Sequence, residues 1–262
     1  MSKRFISSGT HIGSGYRNWD RVAVSVTDHS LLAVLADGVG GQIHGGTAAG
    51  MAVEKFARLH SGDKLEPGMI ASVFKQLSAE MRDVNTEMAT TIVLVFIVKK
   101  GKGMDMFYTW AGDSRLFVLT PENRRFRTGT RVQKRERGNL YILTDDDTVP
   151  WRYFKQGELM LNQVTSSEGR NRLFCSLPRN GGSMGDRIMK TRIDDGDKLL
   201  LCSDGFWERF SDQSGIISWM RSDLRKVAPA FIKFMDSEVK GRAKVDNASF
   251  IRIDLNKKIF KP

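Results

Sequence analysis

The sequence predicts a layered α+β fold, and three observations carry that prediction. Strand-like segments come in adjacent groups at hairpin spacing. A pair of amphipathic helices follows the first strand pair, and a second pair precedes the last strand. Nowhere do single strands alternate with single helices, which argues against a doubly wound parallel sheet. Two antiparallel sheets covered by helices on both sides fit this order.

In chain order, Arg21 to Thr27 alternates, with Val22, Val24 and Val26 on one face, and reads as a strand. Asp28-His29-Ser30 is a turn, and the apolar run Leu31 to Ala36 is the paired strand of a hairpin. It ends in Asp37-Gly38-Val39-Gly40-Gly41, where glycine permits a tight backbone path. Helical spacing follows over Thr47 to Leu59 and Met69 to Glu87. The β-branched stretch Thr90 to Val98 is a strand, as are Met104 to Ala111 and Ser114 to Leu119, broken by Gly112-Asp113. Tyr141 to Leu143 reads as another short strand. A short helix starts at Pro150 and stops at Gly157. The polar stretch Asn162 to Asp186 reads as loop. Strands at Ile188 to Ile193 and Lys198 to Cys202 flank the turn Asp194 to Asp197. Helical stretches near Ser214 to Met220 and Val227 to Val239 precede a final strand, Phe250 to Leu255.

The 262 residues show no repeat and no low-complexity linker, so a single domain over 1–262 is expected. At 40% apolar residues the chain can build a core. No apolar run is long enough to span a bilayer, and Met1 to Phe5 lacks a signal-peptide stretch, so a soluble, cytoplasmic protein is expected. Cys175 and Cys202 lie in apolar segments and read as buried free thiols. The formal charge of +11 suits anionic partners, or is simply a basic surface.

Four carboxylates share a local pattern. Asp37, Asp113 and Asp204 follow or interrupt apolar strands, and Asp246 immediately precedes the last one. A carboxylate at the lip of a buried strand is partly removed from water, and several together repel unless a cation sits among them. Hard ions such as Mg²⁺ and Mn²⁺ prefer all-oxygen ligands of this kind. Any one Asp-Gly read alone is equally a turn. No Cys-x₂-Cys or His-Glu-x-x-His spacing favours zinc, and no Walker A loop or Gly-x-Ser-x-Gly elbow is present.

Taken in order, Asn18-Trp19-Asp20, Ala36-Asp37-Gly38-Val39-Gly40-Gly41, Ala89-Thr90-Thr91, Ala111-Gly112-Asp113-Ser114-Arg115, Leu143-Thr144, Cys202-Ser203-Asp204-Gly205-Phe206-Trp207-Glu208 and Asp246-Asn247-Ala248-Ser249 resemble the protein phosphatase 2C family, the metal-dependent serine/threonine phosphatases, in their bacterial single-domain form. The resemblance runs over nearly the whole chain. It implies a four-layer α-β-β-α sandwich of two antiparallel sheets flanked by helix pairs. It also implies two or three Mn²⁺ or Mg²⁺ ions: Asp37 bridging two metals with the Gly38 carbonyl as a further ligand, Asp204 and Asp246 holding the first, and Asp113 helping to hold a third. Asp20 would position metal-bound water. The implied reaction is direct in-line hydrolysis of phosphoserine or phosphothreonine in proteins by a metal-activated water. The implied partners are phosphorylated proteins, a serine/threonine kinase or its targets; neither a membrane nor nucleic acid is expected.

The chain departs from the family pattern in several places. Gly15 stands where an arginine often grips the substrate phosphate, and Arg17 is the nearest replacement. Trp19 stands where many members carry Glu or Gln. These two departures motivate an alternative, a pseudophosphatase that binds phosphoproteins without hydrolysing them. His44 is either a loop histidine or a proton shuttle. A basic insertion near 120–140, with Arg124, Arg125, Arg127, Arg131, Lys134, Arg135 and Arg137, reads as a solvated hairpin or as a docking surface for an acidic partner. Asp145 to Asp147 reads as a solvated acidic turn in preference to a metal site. The segment near 144–186 resembles the family's flap.

Overall fold

A computed structural model describes residues 4–39, 43–62, 64–84, 87–101, 103–121, 126, 129–135, 138–178, 184, 186–210 and 212–260; of 43 and 131–135 it describes the backbone alone. Among these, the strands are β1 (Ile6–His11), β2 (Arg21–Val26), β3 (Ser30–Ala36), β4 (Ile92–Lys100), β5 (Gly103–Ala111), β6 (Arg115–Thr120), β7 (Thr130–Arg135), β8 (Gly138–Ile142), β9 (Met189–Ile193), β10 (Lys198–Cys202) and β11 (Ala248–Asp254). The helices are α1 (Ile43–Ser61), α2 (Ile70–Val84), α3 (Val149–Gln156), α4 (Leu161–Val164), α5 (Asp204–Trp207), α6 (Gln213–Arg221) and α7 (Leu224–Gly241). The strands pair antiparallel into two sheets, ordered β1-β11-β10-β6-β8-β7 and β2-β3-β4-β5-β9.

The expected four layers are present. Strand residues alternate between two faces, so β3 sends Leu31, Ala33 and Leu35 into the core between the sheets. It sends Leu32, Val34 and Ala36 outward under α1 and α2. In the other sheet, Leu199 and Leu201 of β10 face the inter-sheet core. Leu200 and Cys202 face α6 and α7. Burial on both faces explains why these strands read as continuous apolar runs in the sequence. Both thiols are free and buried.

Two strands carry too little signal to be read from the sequence. β1 is rich in serine, glycine and threonine and is held by pairing with β11 and by α7. β7 lies in the basic insertion and pairs with β8 across a bulge between Arg131 and Gln133. Arg124, Arg125, Arg127 and Arg137 lie outside the described residues, as do the side chains of Arg131, Lys134 and Arg135. The flap region, expected as loop, contains α4 and is pinned to the sheet by a backbone bridge between Leu177 and Thr90. α3 matches its expectation: the Thr148 hydroxyl accepts from Trp151 N–H, and Gly157 caps the other end in the left-handed region.

The strand register decides where the turns meet. Arg21 lies opposite Ala36, Leu35 opposite Val93, and Ile92 opposite Ala111, so the start of β2, the end of β3 and the β5–β6 turn share one end of their sheet. Arg115 lies opposite Cys202, and Cys202 opposite Phe250, which brings the starts of β6, α5 and β11 to the same end of the other sheet.

Phe206 is fully buried and touches the rings of Phe210, Trp219, Phe231, Phe234 and Phe250 under the six-stranded sheet. Phe206→Ala should therefore lower the unfolding free energy by about 3–5 kcal/mol. Urea denaturation measures this, with the fully exposed Tyr16 changed to Ala as a control that should shift stability by less than about 0.5 kcal/mol.

Candidate metal centre

At the shared end of the sheets lies a cleft of about 1020 Å³. Asp37, Gly38, Asp113, Asp204 and Asp246 all line it, as do Arg17, Trp19 and His44. The fold thus brings these sequence-predicted residues together from turns up to 209 positions apart (Asp37 to Asp246). Asp20 sits beneath, 2% exposed, at the foot of β2.

Each carboxylate is fixed by its own local structure. The Asp37 carbonyl accepts from Thr90 Oγ1 and Thr91 N–H, both at 2.8 Å, and its own N–H donates to Thr91 Oγ1 at 3.1 Å. This accounts for the threonine pair before β4. A Cβ on Gly38 would lie 2.5 Å from the Gly45 backbone, so only glycine lets α1 dock against this loop. Gly40 and Gly41 lie outside the described residues. Asp204 is the first residue of α5 and accepts from the adjacent Gly205 N–H at 2.6 Å, and Asp246 accepts from Asn247 N–H at 2.8 Å. Asp20 Oδ2 accepts from Ser203 Oγ at 2.9 Å, while Asp20 Oδ1 is buried with no hydrogen-bond donor among the described residues.

The electrostatics follow from this crowding. Burial, then the charges of Asp20, Asp204 and Asp113, push the Asp37 carboxyl well above the usual range. Burial, then Asp204, Asp146 and Glu208, do the same to Asp113. Asp204 is raised to about 7, first by burial and then by Glu208, Asp246 and Asp20. Asp20 rises to about 6 because of burial, with the nearby Ser249 and Ser203 hydroxyls partly offsetting it. An ionised cluster of this kind is stable only with cations among its oxygens.

The Asp113 turn is built on two ion pairs, which corrects the reading of Asp145 to Asp147. Asp146 and Asp147 are neither solvated nor metal ligands: they are 3% and 2% exposed, and each is gripped by an arginine. Arg115 donates to both oxygens of Asp146 at 3.0 and 2.7 Å. Its guanidinium lies 3.3 Å from the Trp207 ring centre and 4.9 Å from that of Trp151. Arg187 donates to both oxygens of Asp147 at 2.8 Å, and Asp147 accepts Gly112 N–H at 2.9 Å. Trp207 Nε1 donates to the Asp113 carbonyl at 3.0 Å. Gly112 itself has φ +98°, with Thr91 against it, so the turn needs glycine.

Three further contacts were not legible as site features. Asn247 accepts from Trp19 N–H at 2.7 Å and donates to the Ile12 and Arg17 carbonyls at 2.7 and 3.1 Å, tying the loop before β2 to β11. Glu208, ion-paired with Arg170 of the flap, stands beside Asp204 and Asp113 and fixes Asn171 and Leu173 at the cleft. Ser203 aims Asp20. Asn247, Ser203 and Glu208 were visible as neighbours of the motif aspartates, but nothing in spacing reveals their partners.

Arg17 is exposed at the cleft mouth, its guanidinium 5.8 Å from the Trp19 ring centre. Trp19 lies against the Gly46 backbone in the first turn of α1. His44 is on that helix and not in a loop.

The donor set fits hard divalent ions: buried oxygens, mutual repulsion, and the orphaned Asp20 Oδ1. Among the described residues no three His, Cys, Asp or Glu side chains already meet as a closed cage.

The raised carboxyls give a pH signature. In the metal-free protein, Asp20 and Asp204 bind protons more tightly folded than unfolded, so their stabilisation is full near pH 4 and lost as pH rises through about 6 and about 7. Thermal unfolding in EDTA should show wild type losing more stability between pH 5 and 7.5 than Asp204→Asn does, and Mn²⁺ should restore it at pH 7.5. Equal pH slopes in the two proteins would contradict this assignment.

The comparisons with known proteins agree with the geometry. Residues 9–238 match the model of the protein phosphatase 2C family. Serine/threonine protein phosphatase PstP of Mycobacterium tuberculosis is 25% identical over 201 residues, covering 72% of this chain and 34% of PstP, so the chain spans about a third of that relative's length. The crystal structure of Mycobacterium tuberculosis PstP/Ppp superposes with a TM-score of 0.68 at 21% identity, covering 96% of this chain and 98% of that one. The PstP catalytic domain in complex with two manganese ions gives 0.64 at 20% identity, over 95% and 96%. Stp1 from Staphylococcus aureus gives 0.67 at 17%, over 96% and 94%. With its sandwich, its acidic cleft and a family model matched over most of its length, the chain belongs to the protein phosphatase 2C family.

Proposed function

We propose that this protein is a metal-dependent phosphatase that hydrolyses phosphoserine and phosphothreonine in proteins. The observation that carries the reading is the convergence of Asp37, Asp113, Asp204 and Asp246 on one cleft, with the donor-less Asp20 Oδ1 beneath it.

In this reading Asp37, the Gly38 carbonyl, Asp204 and Asp246 would hold two Mn²⁺ or Mg²⁺ ions, and Asp113 would help to hold a third where one binds. When bound, such ions supply an acidified water and offset charge on phosphoryl oxygens. The chain supplies the rest. Asp20, aimed by Ser203, would position water in the cleft. Arg17 at the mouth holds the incoming phosphate through its forked N–H groups. Asn247 fixes the backbone that carries Arg17. Asn171 and Leu173 of the flap close one wall. No side-chain nucleophile is required, since Cys202 is buried with its thiol pushed far up by that burial. The substrate is a phosphoprotein supplied by a serine/threonine kinase, or that kinase itself, which places the protein in cytoplasmic signal transduction. The basic insertion near 120–140 would add affinity for an acidic partner. Among the described residues, no helix is long and apolar enough to cross a membrane.

Trp19, packed on α1 where an acidic ligand often stands, favours a second reading: a module that binds phosphoproteins without turnover. Purified protein with Mn²⁺ should release phosphate from a phosphothreonine peptide and from para-nitrophenyl phosphate, and EDTA should abolish this. Asp37→Asn should lower kcat on the order of 10³-fold, as expected for losing several kcal/mol of charge stabilisation. Phosphopeptide binding with no turnover at any Mn²⁺ concentration would favour the module, and turnover that survives EDTA would overturn the metal mechanism.

A further inference from the structure

A second cavity, about 350 Å³, lies beside the Asp145–Asp147 segment and shares no lining residue with the metal cleft. One wall is α3, where Arg152, Lys155 and Gln156 follow i, i+3, i+4 spacing and so share a face. Arg187 and Phe174 of the flap complete the lining. The Arg152 guanidinium lies 3.9 Å from the Phe174 ring centre.

Each of the three carboxylates here already has its partners. Asp145 accepts from Lys155 Nζ at 3.1 Å and Trp151 Nε1 at 3.0 Å, Asp146 is held by Arg115, and Asp147 by Arg187. Arg152 has no carboxylate partner among the described ion pairs. The lining itself carries three cations and three carboxylates, but Asp146 is held by Arg115 from outside the pocket, so Arg152 is the lining cation left without a carboxylate, in a pocket large enough for a small ligand.

We propose that this pocket binds a phosphoryl group, free or on a phosphorylated side chain, between Arg152, Lys155 and Arg187, and that occupancy is felt at Asp113. Three oxygens with two negative charges match the forked donors of two arginines lining one pocket. The route to the cleft is short. A phosphoryl group drawing on Arg187 competes with Asp147. Asp147 in turn accepts Gly112 N–H at 2.9 Å and donates its own N–H to the Gly112 carbonyl at 3.0 Å, one residue before Asp113. Loosening that clamp changes the hold on the turn that presents Asp113, and linkage requires metal in the cleft to change phosphoryl affinity by the same factor.

The binding test does not depend on catalysis. Protein held in EDTA is titrated calorimetrically with inorganic phosphate and, separately, with a phosphothreonine peptide. Wild type should show saturable binding of at least one probe, weakened tenfold or more in Arg152→Glu and in the milder Arg152→Gln, and retained in Arg17→Ala. Saturation by inorganic phosphate identifies the free ion as sufficient; saturation by the peptide alone identifies a phosphorylated side chain. Thermal unfolding of both Arg152 variants should match wild type, since this side chain is exposed. In the second arm, Mn²⁺ affinity is measured with and without the binding probe: a shift of about fivefold or more is expected in wild type and none in Arg152→Glu. Binding that is unchanged in both Arg152 variants, or absent for both probes, overturns the site. A Mn²⁺ shift that persists in Arg152→Glu overturns the coupling.

Discussion

Repulsion among carboxylates at one end of the sandwich is the constraint on which the rest of the molecule turns. Antiparallel register delivers Asp37, Asp113, Asp204 and Asp246 to one cleft, where burial and the charges of Asp113, Asp204 and Asp246 raise the proton affinity of the carboxylates beside them. Without cations the protein must keep protons on some of these groups. With cations, the same charges become a ligand set. The surroundings serve that choice: threonine hydroxyls hold the Asp37 backbone, Ser203 aims Asp20, and Asn247 anchors the loop that carries Arg17.

The Asp113 turn illustrates how much structure one carboxylate of the cleft requires. Behind it lie two bidentate arginine–aspartate pairs and a tryptophan that holds its carbonyl. Buried ion pairs add little net stability, because desolvation offsets most of the attraction, but removing one partner leaves a costly bare charge. Their value here is geometric. They fix a glycine turn whose N–H and C=O are both claimed by Asp147, so the direction of Asp113 is set from behind. The same grip makes the turn sensitive to anything that draws on Arg187 from the neighbouring pocket.

Two departures from the family pattern, Gly15 and Trp19, line the cleft alongside its aspartates. Trp19 replaces a carboxylate by a ring laid against α1, with Arg17 nearby. The wall that would otherwise carry negative charge is apolar and faced by a cation.

By itself the sequence determined the layers. Continuous apolar runs such as Leu31 to Ala36 and Leu199 to Cys202 required burial on both faces, and amphipathic helices had to cover them. It also marked the aspartates at strand ends, because Asp-Gly beside a buried strand is legible locally. β1 was not legible, since its serines and glycine carry no strand signal and only pairing with β11 makes it one. Nor was the fate of Asp145 to Asp147: a run of three acids reads as solvated until the fold places Arg115 and Arg187 against the second and third. Tertiary structure alone decided those pairings, because partners 31 and 40 positions away leave no trace in local pattern and meet only when two sheets close over a common end.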